Sequence, residues 1–203
     1  MTTKLNNLPP GYSSRAATWD DLQAVVTLAN LDSKSSTGVE DTSLEEIRND
    51  WDEPGFDLAR DTQLVFSTEN ELVGFAEILK LQSPPVKPYL WISYLPEEPV
   101  EVGTFLLKWA KGSALNVSSL VPENASINLV AHNVSGYAPK QTVFEQNEMS
   151  VIRHSFQMRI DMEERPANPS WPEQIELRPF VENIHAQDVY RQMTTLSKII
   201  SAT

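Results

Sequence analysis

An α/β (α+β) fold is predicted, a sheet with helices packed against it, and two observations carry the prediction. Apolar residues switch between helical and period-two spacing along the chain up to Met162, giving the segment order β-α-α-β-β-β-α-β-α-β. Residues 89–111, YLWISYLPEEPVEVGTFLLKWAK, run from a wholly apolar strand through a short Pro- and Glu-bearing loop directly into an amphipathic helix. Such a junction aims several backbone N–H groups and the positive end of a helix dipole at one point, which makes an anion site.

Each element has its own signal. Residues 1–10 are polar and close on Pro9-Pro10, an arm leading to a short strand over 12–15. Thr18 and Asp21 have capping-box spacing, and Leu22, Val25, Val26 and Ala29 carry a helical stripe to about Leu31, before a polar loop over 32–41. Ser43 and Glu46 repeat the capping box, Leu44, Ile47 and Trp51 form the stripe of a second helix, and Pro54-Gly55 ends it. QLVFST and LVGFAEILKL, joined by a turn at Glu69-Asn70, read as an antiparallel hairpin. The prolines from Pro84 to Pro88 stiffen the connection to YLWISYL, whose lack of alternation predicts burial on both faces near the sheet centre. Val102, Phe105, Leu106 and Trp109 form the apolar face of the next helix. A strand over 128–132, a helix started by Pro139 and running to about Asn147, and a strand or strand pair over 149–162 complete the order.

Bulk properties narrow the function classes. The 203 residues, 40% hydrophobic, suffice for one well-buried domain with an appendage. A net charge of −12 sets the overall field against nucleic acid and anionic membranes, so neither partner is expected. The absence of cysteine removes thiolate catalysis, disulfides and Cys-ligated metal together, and no pair of histidines has metal-ligand spacing, so no metal is expected. The opening residues lack the apolar core of a signal peptide, which makes a cytoplasmic protein the expectation. Pro166, Pro169 and Pro172 mark residues 163–174 as a linker between a domain over 11–162 and a strand-plus-helix unit over 175–203 whose pattern repeats that of 12–30. A strand and a helix enclose no core alone, so this tail docks on the first domain, pairs in a homodimer, or opens a shortened second domain.

With GYSSRAAT, WDEPGFDLARDTQLVF, ELVGFAEI, KPYLWISYLPE, GTFLLKWA and VIRHSFQMRIDM in place, residues 11–161 resemble the GNAT N-acetyltransferase superfamily, closest to the tandem group that includes mycothiol-synthase-like proteins. IELRPF resembles the opening of that group's second domain. The resemblance implies a mixed, mostly antiparallel sheet in which two neighbouring strands splay apart. It places the pantetheine of acetyl-CoA along the main chain of Ile92, Ser93, Tyr94 and Leu95, and the pyrophosphate at Val102, Gly103 and Thr104. It further implies acetyl transfer to a small amine by direct attack, with a general base and an acid for the departing thiolate.

The chain departs from the family pattern at two chemically important places. The pyrophosphate loop, Arg/Gln-x-x-Gly-x-Gly/Ala in the family, reads from Pro96 to Gly103 with only Gly103 matching; Pro99 removes a donor and Glu97, Glu98 and Glu101 add negative charge. Phe144 stands where the family has a tyrosine acid, and has no proton to give. A catalytically inactive GNAT-like binding or dimerisation module is therefore the alternative. Glu77 is the candidate general base if burial raises its pKa, although a strand that exposes one face leaves it a solvated residue, the favoured reading. Tyr94 is the candidate acid, with core packing as its other reading; His132 and His154 read as surface residues.

Overall fold

The computed structural model of the protein describes residues 8–156, 158, 160–172 and 179. The chain divides into two compact units, Met1–His154 and Ser155–Thr203. In the first, β1 (Ser13–Arg15), β2 (Thr62–Phe66), β3 (Leu72–Leu79), β4 (Tyr89–Tyr94) and β5 (Val130–Ala131) form one sheet in the order β1-β2-β3-β4-β5. The first three pairings are antiparallel and β4–β5 is parallel, so the sheet is mixed and mostly antiparallel, as expected. The helices are α1 (Leu22–Thr37), α2 (Leu44–Asp52), the one-turn α3 (Leu58–Asp61), α4 (Val100–Ala114) and α5 (Ala138–Gln146).

Alternation along the central strands builds two cores. Leu90, Ile92 and Tyr94 join Ala76 and Ile78 under Val102, Phe105, Leu106 and Val143 of α4 and α5. On the other face Leu64 and Phe75 meet Val25, Val26, Ile47 and Trp51 of α1 and α2. Both faces of β3 are covered, and Val73 through Leu79 are all buried. That overturns the solvated reading of Glu77: a strand between two helical layers has no wet face, and the Glu77 side chain is fully enclosed.

Helix α1 runs six residues beyond the expected end at Leu31. Gly38 closes it in the left-handed conformation (φ 85°), its N–H donating to the carbonyl of Lys34. Ser35 and Thr37 return their hydroxyls to the carbonyls of Leu31 and Ser33, so residues 32–37 of the stretch read as loop continue the helix, and 38–41 form the loop. At the other end, Arg15 grips Asp21 through two nitrogens at 2.6 and 2.7 Å and lies over Phe66, anchoring β1 to the start of α1. The Arg15 guanidinium holds the Asp21 carboxyl down at about 2.

The strand expected over 149–162 is not formed among its described residues. Alternation gives that segment the capacity to pair, but Met149 alone of its described apolar residues packs against the core, and Val151, Ile152, Phe156, Met158, Ile160 and Met162 lie exposed. In the second unit the described residues form neither helix nor strand. The proposed repeat over 175–203 lies outside the described residues except for Pro179.

Candidate functional site: a parted sheet beside a helix end

The β4–β5 ladder consists of two pairs, Tyr89 with Val130 and Leu90 with Ala131. β4 continues to Tyr94 while β5 stops, so the two strands separate from Trp91 onward. Register decides which main-chain groups this exposes. The N–H of Leu95 donates to the carbonyl of Val73 at 3.2 Å, which puts Leu95, and by alternation Ser93 and Trp91, in the hydrogen-bonded pairs with β3. The N–H and C=O of Ile92 and Tyr94 therefore point to the other side, into the gap. Of the four residues expected along pantetheine, Ile92 and Tyr94 offer their main chain and Ser93 and Leu95 offer it to β3.

The gap leads to the start of α4. Pro99 is the N-cap and lacks an N–H, and the N–H of Val102 already donates to the Pro99 carbonyl at 2.9 Å. The open donors of this helix end are those of Val100 and Glu101, ahead of the expected Val102, Gly103 and Thr104. Gly103 is buried, and its missing side chain has a packing reason: a Cβ would lie 2.8 Å from Cζ of Tyr94 and 2.9 Å from Cγ2 of Val143. The glycine lets the Tyr94 ring rest on the helix. Gly103→Ala is expected to destabilise by about 1–2 kcal/mol, overpacking outweighing the better helix propensity, as read from the midpoint of urea unfolding. Glu98 accepts from the Tyr12 hydroxyl at 2.7 Å, and Glu101 shares a shallow cleft with Leu8, Pro9 and Pro10.

A polar cluster the sequence reading missed lies beside the gap. Asp32 of α1, 3% exposed, receives the ammonium of Lys140 from α5 at 2.5 Å, tying the helix packed on β4 to the helix that follows β5. Burial pushes the Asp32 carboxyl up, and the charge of Lys140 pulls it partly back. Its Oδ1, the hydroxyls of Tyr94 and Tyr137, and Oδ1 of Asn133 are buried without a hydrogen-bond partner. Burial raises the Tyr94 hydroxyl above its ordinary range, with Asp32 adding to the effect. Burial likewise lifts Tyr137 to about 12, again with help from Asp32.

Glu77 occupies the α2 face of β3. Its Oε2 accepts from Nε1 of Trp51 at 3.0 Å and its Oε1 has no partner. Burial, reinforced by Asp50, pushes this carboxyl up to about 8 against the pull of the Trp51 bond. Trp51 also meets Trp19 edge-on at 5.6 Å and floors an open cleft of about 440 Å³ shared with Ala17, Phe56 and Leu58. His132 and His154 are exposed. No group of three His, Cys, Asp or Glu among the described residues is placed to hold a metal ion, and no described helix is long and apolar enough to cross a membrane.

No protein-family model matches the chain, and no curated protein does either. Solved structures do. The chain is similar to a GCN5-related N-acetyltransferase from Sphaerobacter thermophilus, with a TM-score of 0.71 and 23% identity over 91% of this chain and 57% of that one. It thus spans little more than half that protein's length. It is also similar to yncA, a putative acetyltransferase from Salmonella typhimurium solved with its cofactor acetyl-CoA (TM-score 0.51, 12% identity, 68% of this chain and 79% of that one). A putative phosphinothricin N-acetyltransferase matches with a TM-score of 0.50 and 19% identity, over 67% and 80% of the two chains. The mixed sheet with its flanking helices is the GNAT acetyltransferase fold.

Proposed function

We propose that the protein is an acyl-CoA-dependent N-acyltransferase that moves an acetyl group from acetyl-CoA to a small amine. The single observation behind this reading is the sheet that opens after Leu90 and Ala131, leaving the main chain of Ile92 and Tyr94 free to pair with an amide-bearing arm such as pantetheine. The yncA structure, which holds acetyl-CoA on a similar fold, supports the choice of carrier. In the proposed step the amine nitrogen attacks the thioester carbonyl, the C–S bond breaks, the nitrogen loses its extra proton to a base, and the thiolate gains one from an acid. Tyr94, whose raised hydroxyl keeps its proton at neutral pH, is the acid, replacing the tyrosine lost at Phe144. Glu77, titrating at about 8, is the base, reached from the Trp19–Trp51 cleft when Trp51 swings aside.

A titration with acetyl-CoA tests the reading. Saturation at 100 times Kd adds about 2.7 kcal/mol of stability, several degrees of melting temperature. No shift at millimolar acetyl-CoA rejects it and leaves the inactive module. With binding established, Tyr94→Phe is expected to lower kcat by a factor of about 100 or more while preserving the shift, and unchanged turnover removes Tyr94 from the mechanism.

A further inference from the structure

Helices α1 and α5 belong to opposite faces of the sheet, yet their side chains meet. α1 packs on the core of Leu64 and Phe75, while Val143 of α5 belongs to the core under α4. Asp32 and Lys140 nevertheless bond at 2.5 Å, and both are largely enclosed. A bond between opposite faces has to pass where strands are unpaired, and Asp32 acts on the hydroxyl of Tyr94, in the stretch of β4 that has parted from β5. The ion pair therefore stands at the gap, with Ser93 and Tyr94 on the β4 side and Asn133 and Tyr137, which follow β5, on the other.

The polar groups around the pair are out of balance. Lys140 supplies a hydrogen to Oδ2 of Asp32, but Oδ1 of Asp32 and Oδ1 of Asn133 are buried and receive none. Both atoms only accept, and Nδ2 of Asn133 is already committed to the carbonyl of Tyr137, which orients that amide. Buried acceptors left unpaired are costly, so two in one cluster call for a ligand that brings two hydrogens. The hydroxyls of Tyr94 and Tyr137 are buried there without partners as well, and burial keeps both protonated, so they remain donors. Charge selects the form of the ligand. Lys140 neutralises Asp32, so an entering cation gains little from the carboxylate and is opposed by the ammonium, whereas an uncharged N–H donor meets no opposition.

We propose that this cluster is the acceptor subsite of the transferase and holds a primary amine in its uncharged form by its two N–H groups, one on Oδ1 of Asp32 and one on Oδ1 of Asn133. The inference rests on the acyl-transfer reading and adds the class of amine. The groups match in number: a neutral primary amine has two hydrogens and one lone pair, so with both hydrogens held the lone pair is left for the thioester carbonyl. The nitrogen then forms the C–N bond, the C–S bond breaks, the proton shed by the nitrogen leaves to the base, and the thiolate takes one from Tyr94. A secondary amine satisfies one acceptor and strands the other, and a quaternary ammonium has no hydrogen to give. Asp32 and Asn133 are positioning residues, and Lys140 keeps the carboxylate from trapping the unreactive ammonium form of the substrate.

The full chain with acetyl-CoA tests the assignment, and because it has no cysteine, released thiol is read without background. The melting temperature reports acetyl-CoA binding separately. n-Propylamine is expected to release thiol with a kcat/KM about 10–100 times that of N-methylpropylamine, after correction for their uncatalysed rates, the cost of stranding one buried acceptor. Propyltrimethylammonium should not inhibit. Asn133→Ala, at a half-buried position after β5, removes one acceptor and should bring the two amines within about threefold of each other while leaving the acetyl-CoA shift unchanged, a convergence that a purely structural role does not produce. Equal rates for the two amines in wild type, a preference that survives Asn133→Ala, or inhibition by the quaternary ion overturns the assignment. So does an acetyl-CoA shift with no thiol release by either amine, which leaves the carrier reading standing. The absence of any acetyl-CoA shift removes the carrier reading itself, and the subsite with it.

Discussion

Replacing Lys140 by methionine is expected to cost about 3–5 kcal/mol at neutral pH, because it strands a carboxylate that is almost wholly enclosed. Asp32 has one oxygen on Lys140 and the other on nothing, and burial already pushes its carboxyl up. Without the ammonium the folded carboxyl rises further above its unfolded value. The variant is then least impaired below the unfolded pKa, where both states are protonated, and loses more as pH rises. Urea unfolding at pH 5 and pH 8 reads this slope. Adding Asp32→Leu to Lys140→Met should recover most of the loss, a strongly non-additive cycle. If Lys140→Met costs under about 1 kcal/mol and the two changes simply add, the pair behaves as a solvated surface contact and its role in holding α1 to α5 is wrong.

Glu77→Gln is expected to make the protein more stable than wild type in alkaline solution. The folded carboxyl titrates at about 8 against an ordinary value of 4.5, so the folded state holds its proton where the unfolded chain has released it. Its favourable contribution is complete below the unfolded value and disappears as pH rises through the folded one, a swing on the order of 4–5 kcal/mol. Glutamine resembles the protonated acid, accepts from Trp51 and does not titrate, so its stability should stay level across that window. Parallel curves for the two proteins from pH 5 to pH 9 would show that Glu77 does not carry the perturbed proton. If Glu77 is also the base, turnover of wild type rises towards pH 8 and that of the variant does not.

How much of this was legible in the sequence depends on what each signal measures. Periodicity and capping residues are local, and they placed the hairpin of β2 and β3, the apolar β4, the helix that follows it and the start of α5. The parting of β4 from its neighbour followed from the resemblance, not from spacing. Glu77 was misjudged because the argument used for YLWISYL, that an unbroken apolar run is covered on both sides, applied equally to LVGFAEIL. Asp32 was within reach: positions 22, 25, 26 and 29 set a stripe whose next member is 32, but the run of Ser and Thr after it looked like loop. Its partner was not, since Lys140 stands 108 residues away and only tertiary packing brings them together. For residues 149–162 the alternation reported a capacity to form a strand while saying nothing about which edge would accept it.

The indole of Trp51, whose N–H rests on Glu77, has a practical consequence. Ionising that carboxyl places a full negative charge against the chromophore, so the ultraviolet emission of the protein should change with a midpoint near the titration of Glu77 at about 8. The fold thus carries its own optical indicator, and Trp51→Phe supplies the blank needed to subtract the four remaining tryptophans.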